Sequence, residues 1–345
     1  MTAVSLSRYI HYSLMMKGSS MRPTPAQTKR IAVLGAGAMG CLFGGRLAQA
    51  GNDVTMIDSS PAVVEALRSQ GLRLTQVSGP TEVIPIQSTQ NPAEVGPVDW
   101  IIVLVKGQHT EAAMRSGQPL LGTATHVLTL QNGWGNTARL AAIAGAERVL
   151  AGVTLHSVTV LEPGQVEHTA QGETILGELD GRLTPRLQEI FGLLESAQFG
   201  VSVSESIRRV IWSKLALNVC ALPACSLLRF RSGQLLDYEP TLSLMRALLR
   251  EVVAVANAQG IELDFEERWN AITGQLERAR NVRASMLQDV EKRRQTEIHT
   301  ITGAVVEAGR HWNVPTPCNE TLFWLIRALE ESFETAPIAV EQGHL

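Results

Sequence analysis

Ile31-Ala32-Val33-Leu34-Gly35-Ala36-Gly37-Ala38-Met39-Gly40 is the stretch from which the fold is read. Four apolar residues lead into glycines at 35, 37 and 40. Cys41 to Ala50 then has helical composition, and Gly51 closes it. A strand therefore turns into a helix through G-x-G-x-x-G, the context in which that motif holds a dinucleotide. Gly35 permits the tight turn, Gly37 lets the backbone approach a pyrophosphate, and Gly40 lets the helix lie close to the strand. The free N–H groups at the helix start, around Ala38 and Met39, and its positive end receive the phosphates. The alternative is a purely structural glycine turn. Against it, Asn52-Asp53-Val54-Thr55-Met56-Ile57-Asp58 follows as a second strand ending in an acid. Asp58 falls eighteen residues after Gly40 (58 − 40), near the usual place for the acid that meets a ribose.

Outward from this stretch, 345 residues point to about two domains. A net charge of −3 with no basic run gives no signal for a polyanion, so nucleic acid is not an expected partner. No apolar stretch reads as long enough to span a bilayer, and no membrane association is expected. Cys41, Cys220, Cys225 and Cys318 show no C-x-x-C spacing. They read as reduced core thiols of a cytoplasmic protein. The eight histidines lack metal-ligand spacing, and no metal is expected. Residues 1–29 read as a disordered leader, or as an over-long start with Met21 as the true beginning. No charged-then-apolar signal peptide is visible in them.

Further along, Ala62 to Gln70 reads as a helix and Leu72-Arg73-Leu74 as a strand. Asp99 to Val105 and His126 to Leu130 are continuous apolar runs, as parallel strands covered on both faces require. Lys106 ends the first run and Gln131-Asn132-Gly133 the second. Both lie at strand carboxyl ends, where such sheets place their functional residues. Short strand-like pieces between Val149 and Leu179 suggest an antiparallel extension of the sheet. Leu183 to Gln198 reads as a helix and Val201-Ser202-Val203 as a last strand. Beyond Ser204 the pattern is helical: Ile207 to Leu222, ended by Pro223; Thr241 to Gln259; Phe265 to Arg280; Met286 to Trp312; Glu320 to Glu334. The boundaries read as a leader over 1–29, a dinucleotide-binding domain over 30–204, a helical domain over 205–335 and a tail over 336–345.

Two stretches of the helical half could carry chemistry. Lys214 and Asn218 lie four apart, hence on one helix face, amid Trp212, Leu215, Ala216 and Val219. A lysine in an apolar stripe is a candidate proton donor, because burial lowers its pKa toward the working pH. The alternative is a lysine that snorkels to water. The other stretch is Ser285-Met286-Leu287-Gln288-Asp289, followed by Arg293 and Thr296-Glu297-Ile298. Ser285 with Gln288 makes a possible capping box, and Asp289, Arg293 and Glu297 recur every four residues as a solvated charged face would.

Together these motifs resemble the ketopantoate reductase (2-dehydropantoate 2-reductase) family: G-A-G-A-M-G at 35–40, V-K-G-Q at 105–108, Q-N-G at 131–133, I-W-S-K-L-A-L-N at 211–218 and S-M-L-Q-D…R-x-T-E-I at 285–298. β-Hydroxyacid dehydrogenases share the Lys-x-x-x-Asn but not the last run. The resemblance implies an α/β fold: a Rossmann doubly wound sheet with an antiparallel extension, then an all-α C-terminal domain, with the site in the cleft between. It implies hydride transfer from NAD(P)H to a small-molecule 2-keto acid, in a monomer or homodimer. Lys214 would be the general acid and Glu297 would meet a substrate hydroxyl. Asn218 would hold substrate, Ser285 its carboxylate, and Asn132 would help fix the nicotinamide side and Lys214. Gly35, Gly37, Ala38, Met39, Gly40, Asp58, Ser59, Lys106 and Asn132 would meet the cofactor.

Departures from the family pattern bear on specificity. An Arg that often meets the 2′-phosphate of NADPH, the family's default cofactor, is replaced by Asp58-Ser59-Ser60, which leans toward NADH. Amides often found in the substrate helix and beyond are here Leu222, Ser232 and Val282, with Asn281 one place off. A related reductase for a more apolar keto acid, and a non-catalytic dinucleotide sensor, are the competing readings.

Overall fold

The computed structural model describes residues 28–335. The expected leader lies outside them except for its last two positions, and the expected tail lies wholly outside. The described chain forms two compact units. One ends at Gln131 and resumes over Gly135–Ile211; the other holds Asn132–Trp134 and continues from Trp212.

The first unit is built on β1 (Arg30–Leu34), β2 (Asp53–Ile57), β5 (Gln87–Thr89), β6 (Val98–Val103), β7 (Leu121–Thr129) and β8 (Val149–Thr154), with β11 (Glu173–Gly177) and β12 (Gly200–Val203) at one edge. Their order is β12-β11-β8-β7-β6-β1-β2-β5. All neighbours run parallel except β8 and β11, so the extension reverses direction once. Alternate residues of one strand enter opposite cores. Ile31 and Val33 pack with Trp100, Ile102 and Leu128, while Ala32 and Leu34 pack with Ile101, Val103 and Val127. Both faces are therefore covered, by α1 (Ala38–Gln49), α2 (Pro61–Gln70) and α5 (Pro185–Ser196) among others, and by α3 (Thr110–Ser116) and α4 (Asn136–Ala144).

The antiparallel extension is narrower than expected. β9 (Ser157–Glu162) and β10 (Gln165–Ala170) leave the main sheet and join β3 (Leu72–Thr75) and β4 (Thr81–Ile84) in a second sheet, order β4-β3-β10-β9. A period-two pattern marks a strand but does not name its neighbour.

In the second unit, α6 (Ile207–Leu228) supplies the central row Trp212, Leu215, Ala216, Val219 and Cys220. Around this row pack α7 (Glu239–Ala258), α8 (Phe265–Arg278), α9 (Ser285–Glu291), α10 (Thr302–His311) and α11 (Pro317–Thr335). Three expectations are corrected here. Pro223 lies inside α6 rather than ending it. The helix stops six residues later, where Arg229 turns left-handed at φ 59° and Phe230 N–H bonds back to Cys225 O, a Schellman closure. Met286 to Trp312 is not one helix. Arg293 takes φ 52°, its N–H bonds to Val290 O and that of Arg294 to Asp289 O, so α9 ends and a loop separates it from α10. Asp289, Arg293 and Glu297 hence share no helical stripe. Finally, α6 is long and apolar enough by composition to cross a membrane. Its apolarity has a local use, since 61% of that window is buried within the protein.

Candidate active site

In the first unit, the glycine turn is fixed by sterics. Gly35 sits at φ 99°, and a Cβ there would lie 2.8 Å from Val105 N. At Gly40 a Cβ would lie 1.8 Å from Gly35 O, so the closeness this glycine grants is to the turn itself. Gly37 is exposed, has open space where a Cβ would be, and precedes α1 without a side-chain cap. The first N–H groups of α1, from Ala38, Met39 and Gly40, have no intrahelical acceptors. Uncapped N–H groups behind an exposed glycine fit a pyrophosphate.

Asp58 does more than sequence reasoning assigned to it. Its Oδ2 accepts from Ala36 N–H (2.8 Å) and its Oδ1 from Ser60 N–H (2.9 Å), tying the end of β2 to the glycine turn. Ser59 is exposed, and its carbonyl accepts from Gln90 Nε2. Lys106 is half-buried and precedes the turn Gly107–His109. Gln131, quoted only as part of a motif, secures that turn: its Nε2 donates to Val105 O (2.7 Å) and to Thr110 Oγ1 (2.8 Å). Thr110 Oγ1 lies within bonding distance of Gly107 O (2.8 Å) and Asn136 Oδ1 (3.2 Å).

In the second unit, three of the expected residues come together. Asn132 Nδ2 donates to Glu297 Oε2 at 3.0 Å, and the Glu297 carboxylate acts on the charge of Lys214. Lys214 is half-buried on α6. Burial is the larger influence and brings its pKa from the ordinary 10.5 down to about 8, while Glu297 pulls it back up. Asn132 is held in place by its neighbours. Trp134 N–H donates to Thr300 O (2.9 Å), and Trp134 packs at 5.6 Å on the fully buried Trp212. Gly133 takes φ 89° and leaves room only for hydrogen, because a Cβ would lie 2.1 Å from Thr300 O. Thr300 was missed in the sequence; its carbonyl takes the Trp134 N–H, and its own N–H and hydroxyl return to Glu297 O.

Of the two other expected residues, Asn218 lies one turn beyond Lys214 on α6 and Ser285 opens α9. Asn218 is buried. Ser285 is exposed at the first position of α9; Ala284 takes the cap position and no side-chain cap bond forms. The capping box is thereby corrected, since Gln288 Nε2 bonds to Arg283 O instead. Ser232 is also committed elsewhere, its hydroxyl donating to Val282 O at 3.1 Å. Leu222 is half-buried on α6, one turn beyond Asn218. Among the described residues no three His, Cys, Asp or Glu converge as metal ligands.

Comparison with known proteins bears on the same two units. Family models described as ketopantoate reductase PanE/ApbA and its C-terminal domain match residues 31–181 and 206–330. A 2-dehydropantoate 2-reductase of Halobacterium salinarum is 33% identical over 86% of this chain and 98% of its own. The crystal structure of a PanE/ApbA family ketopantoate reductase from Ralstonia eutropha JMP134 superposes with a TM-score of 0.82 at 30% identity, over 88% of this chain and 99% of that one. D-mandelate dehydrogenase, solved with NADH and anilino(oxo)acetate, superposes with a TM-score of 0.84 at 28% identity, over 89% of this chain and all of that one. Matches of this extent in both halves establish that the chain belongs to the ketopantoate reductase family, oxidoreductases that act on CH–OH groups with a nicotinamide cofactor.

Proposed function

We propose that this protein reduces a 2-keto acid, of the 2-dehydropantoate type, with Lys214 as general acid. NAD(P)H, when bound, would supply the hydride to the keto carbon, whose carbonyl π pair would move onto its oxygen. Lys214 Nζ gives that oxygen a proton and is recharged from solvent. Glu297 keeps Lys214 charged enough to donate and accepts from a substrate hydroxyl, while Asn132 orients the Glu297 carboxylate. Asn218, buried on α6, holds substrate, and Ser285 meets the carboxylate. The observation that carries the reading is the grouping of Lys214 with a Glu297 carboxylate that Asn132 Nδ2 holds at 3.0 Å, and burial of Lys214 lowers its pKa toward the working range. Keto-acid reduction also fits the family to which the chain belongs.

Two finer points follow from residues already described. Asp58 presents a carboxylate at the end of β2, which accepts from ribose hydroxyls and repels a 2′-phosphate, so NADH is the preferred cofactor. Gly35, Gly37, Ala38, Met39 and Gly40 cradle the pyrophosphate, with Ser59 and Lys106 beside the cofactor. A second reading, a 2-keto acid with a larger apolar group, is favoured by Leu222 and by the commitment of Ser232 to backbone. The mandelate dehydrogenase likeness agrees with it. A panel of 2-keto acids, followed by loss of NADH or NADPH absorbance, tests all of this. A specificity constant for 2-dehydropantoate above about 10⁴ M⁻¹s⁻¹, with weaker rates on apolar keto acids, refutes the second reading. No turnover with any member refutes the first.

A further inference from the structure

Glu297 sits in an irregular loop, so something other than a helix must hold it. The residues on either side of it are clamped. Thr296 is buried, and both its N–H (2.7 Å) and its hydroxyl (2.6 Å) donate to Glu330 Oε1 on α11. Ile298 is fully buried, and its N–H donates to Thr296 Oγ1 (3.1 Å). Glu297 O accepts from the N–H groups of Thr300 and Ile301. The Glu330 side chain is 4% exposed, and its other oxygen pairs with Arg327 at 3.1 Å; Arg327 also reaches Glu331. A buried carboxylate needs such donors, because an unpaired one is costly. Glu330 thus directs its bonds to the loop and to one guanidinium. Among the described residues, the one backbone N–H it receives belongs to the residue just before Glu297.

We propose that Glu330 is a positioning residue for the reaction: through Thr296 it fixes the Glu297 carboxylate against Lys214 and Asn132. This rests on the functional reading above, in which Lys214 donates the proton. Glu330 touches neither substrate nor cofactor. It acts because an irregular loop held by few bonds keeps its geometry only while its clamps are made. The charged group that acts on Lys214 is Glu297, whereas Glu330 bonds to Thr296 and Arg327. Any effect of Glu330 on Lys214 therefore passes through the position of Glu297.

Pairs of variants separate position from charge. Glu330→Gln removes the clamp's charge and its pairing with Arg327; Thr296→Val keeps that charge and deletes only the hydroxyl bonds; Thr296→Ser restores them. The full-length protein is treated with cyanate over a range of pH, and carbamylation of Lys214 is followed by mass spectrometry of its peptide. The midpoint reports the Lys214 ammonium without any turnover. In the parent it falls near 8. Glu297→Gln lowers it by about one unit, the scale for losing one close opposite charge. Glu330→Gln and Thr296→Val move it in the same direction, and Thr296→Ser leaves it at the parent value. The alkaline limb of kcat/KM moves with it. If Glu330→Gln does not fold, Thr296→Val decides alone. A midpoint unmoved in Thr296→Val, while Glu297→Gln shifts it, overturns the proposal. Near-normal turnover by Lys214→Ala sinks the general-acid reading instead, and it leaves the carbamylation result standing.

Discussion

Replacing Lys214 by methionine keeps the apolar stem of the side chain and deletes the ammonium. With a pKa of about 8, roughly nine in ten Lys214 side chains carry the proton at pH 7 and about one in ten at pH 9. The reduction needs the protonated form, so kcat/KM holds level below pH 8 and falls about tenfold per unit above it. The reverse oxidation needs the neutral amine and rises through the same midpoint. Loss of a general acid costs about 100-fold or more, equal to roughly 2.7 kcal/mol of barrier. Lys214→Met should therefore lower kcat by that factor and abolish the alkaline limb, with dissociation of the cofactor little changed. The assay is steady-state reduction of the best keto acid between pH 6 and 10, with cofactor affinity read by fluorescence. A variant that keeps its turnover within a few-fold, or keeps the same limb, refutes the assignment of the proton to Lys214.

The same substitution makes a stability prediction of definite sign. The folded pKa of about 8 lies below the ordinary 10.5, so folding disfavours the charged amine. That penalty is complete below pH 8, fades between 8 and 10.5, and is absent above. Lys214→Met should raise Tm at pH 7 and leave it unchanged near pH 11.

Other expected outcomes are as follows. Gly133→Ala, at φ 89° and with a Cβ 2.1 Å from Thr300 O, should release Asn132 from Glu297 and lower kcat while the protein still folds; unchanged kcat shows that the bond is idle. Asp58→Asn should narrow the preference for NADH over NADPH and also loosen the glycine turn, since the Ala36 and Ser60 bonds weaken; a parent enzyme that prefers NADPH refutes the Asp58 argument. Buried His156 lies 3.0 Å from His168, and burial takes its pKa down to about 4, so stability should be full above pH 6.5 and decline as pH falls toward 4. A flat Tm over that window contradicts a neutral buried pair.

What the sequence made legible, and what it did not, divides along one physical line. Local rules worked where the chain's own period carries the information. Continuous apolar runs marked β1, β6 and β7 as strands covered on both faces, and their alternate residues do enter two different cores. The glycine spacing marked the turn that sterics then enforce at Gly35 and Gly40. Helix ends were the weak point. Pro223 looks like a stop but loses only one backbone bond, which a largely buried 22-residue helix tolerates. Arg229 and Arg293 make the actual stops, and arginine carries no local signal for a left-handed residue.

The trio shows why a site can be recognised before it can be explained. Asn132, Lys214 and Glu297 were found as motif letters, yet what joins them is long-range: Asn132 bonds a residue 165 positions away. Thr300 contributes a carbonyl and Glu330 a buried acceptor, and neither use leaves a mark in composition or spacing. Placing Glu297 on a loop also alters the chemistry. A helix would have fixed its carboxylate at the pitch of its neighbours, whereas a loop needs clamps at Thr296, Ile298 and Thr300. Those clamps are buried in the core of the helical unit, so the charge that tunes Lys214 is set by packing on the far side of the loop. Core substitutions around α11 should therefore register first in the pH dependence of turnover, ahead of any loss of fold.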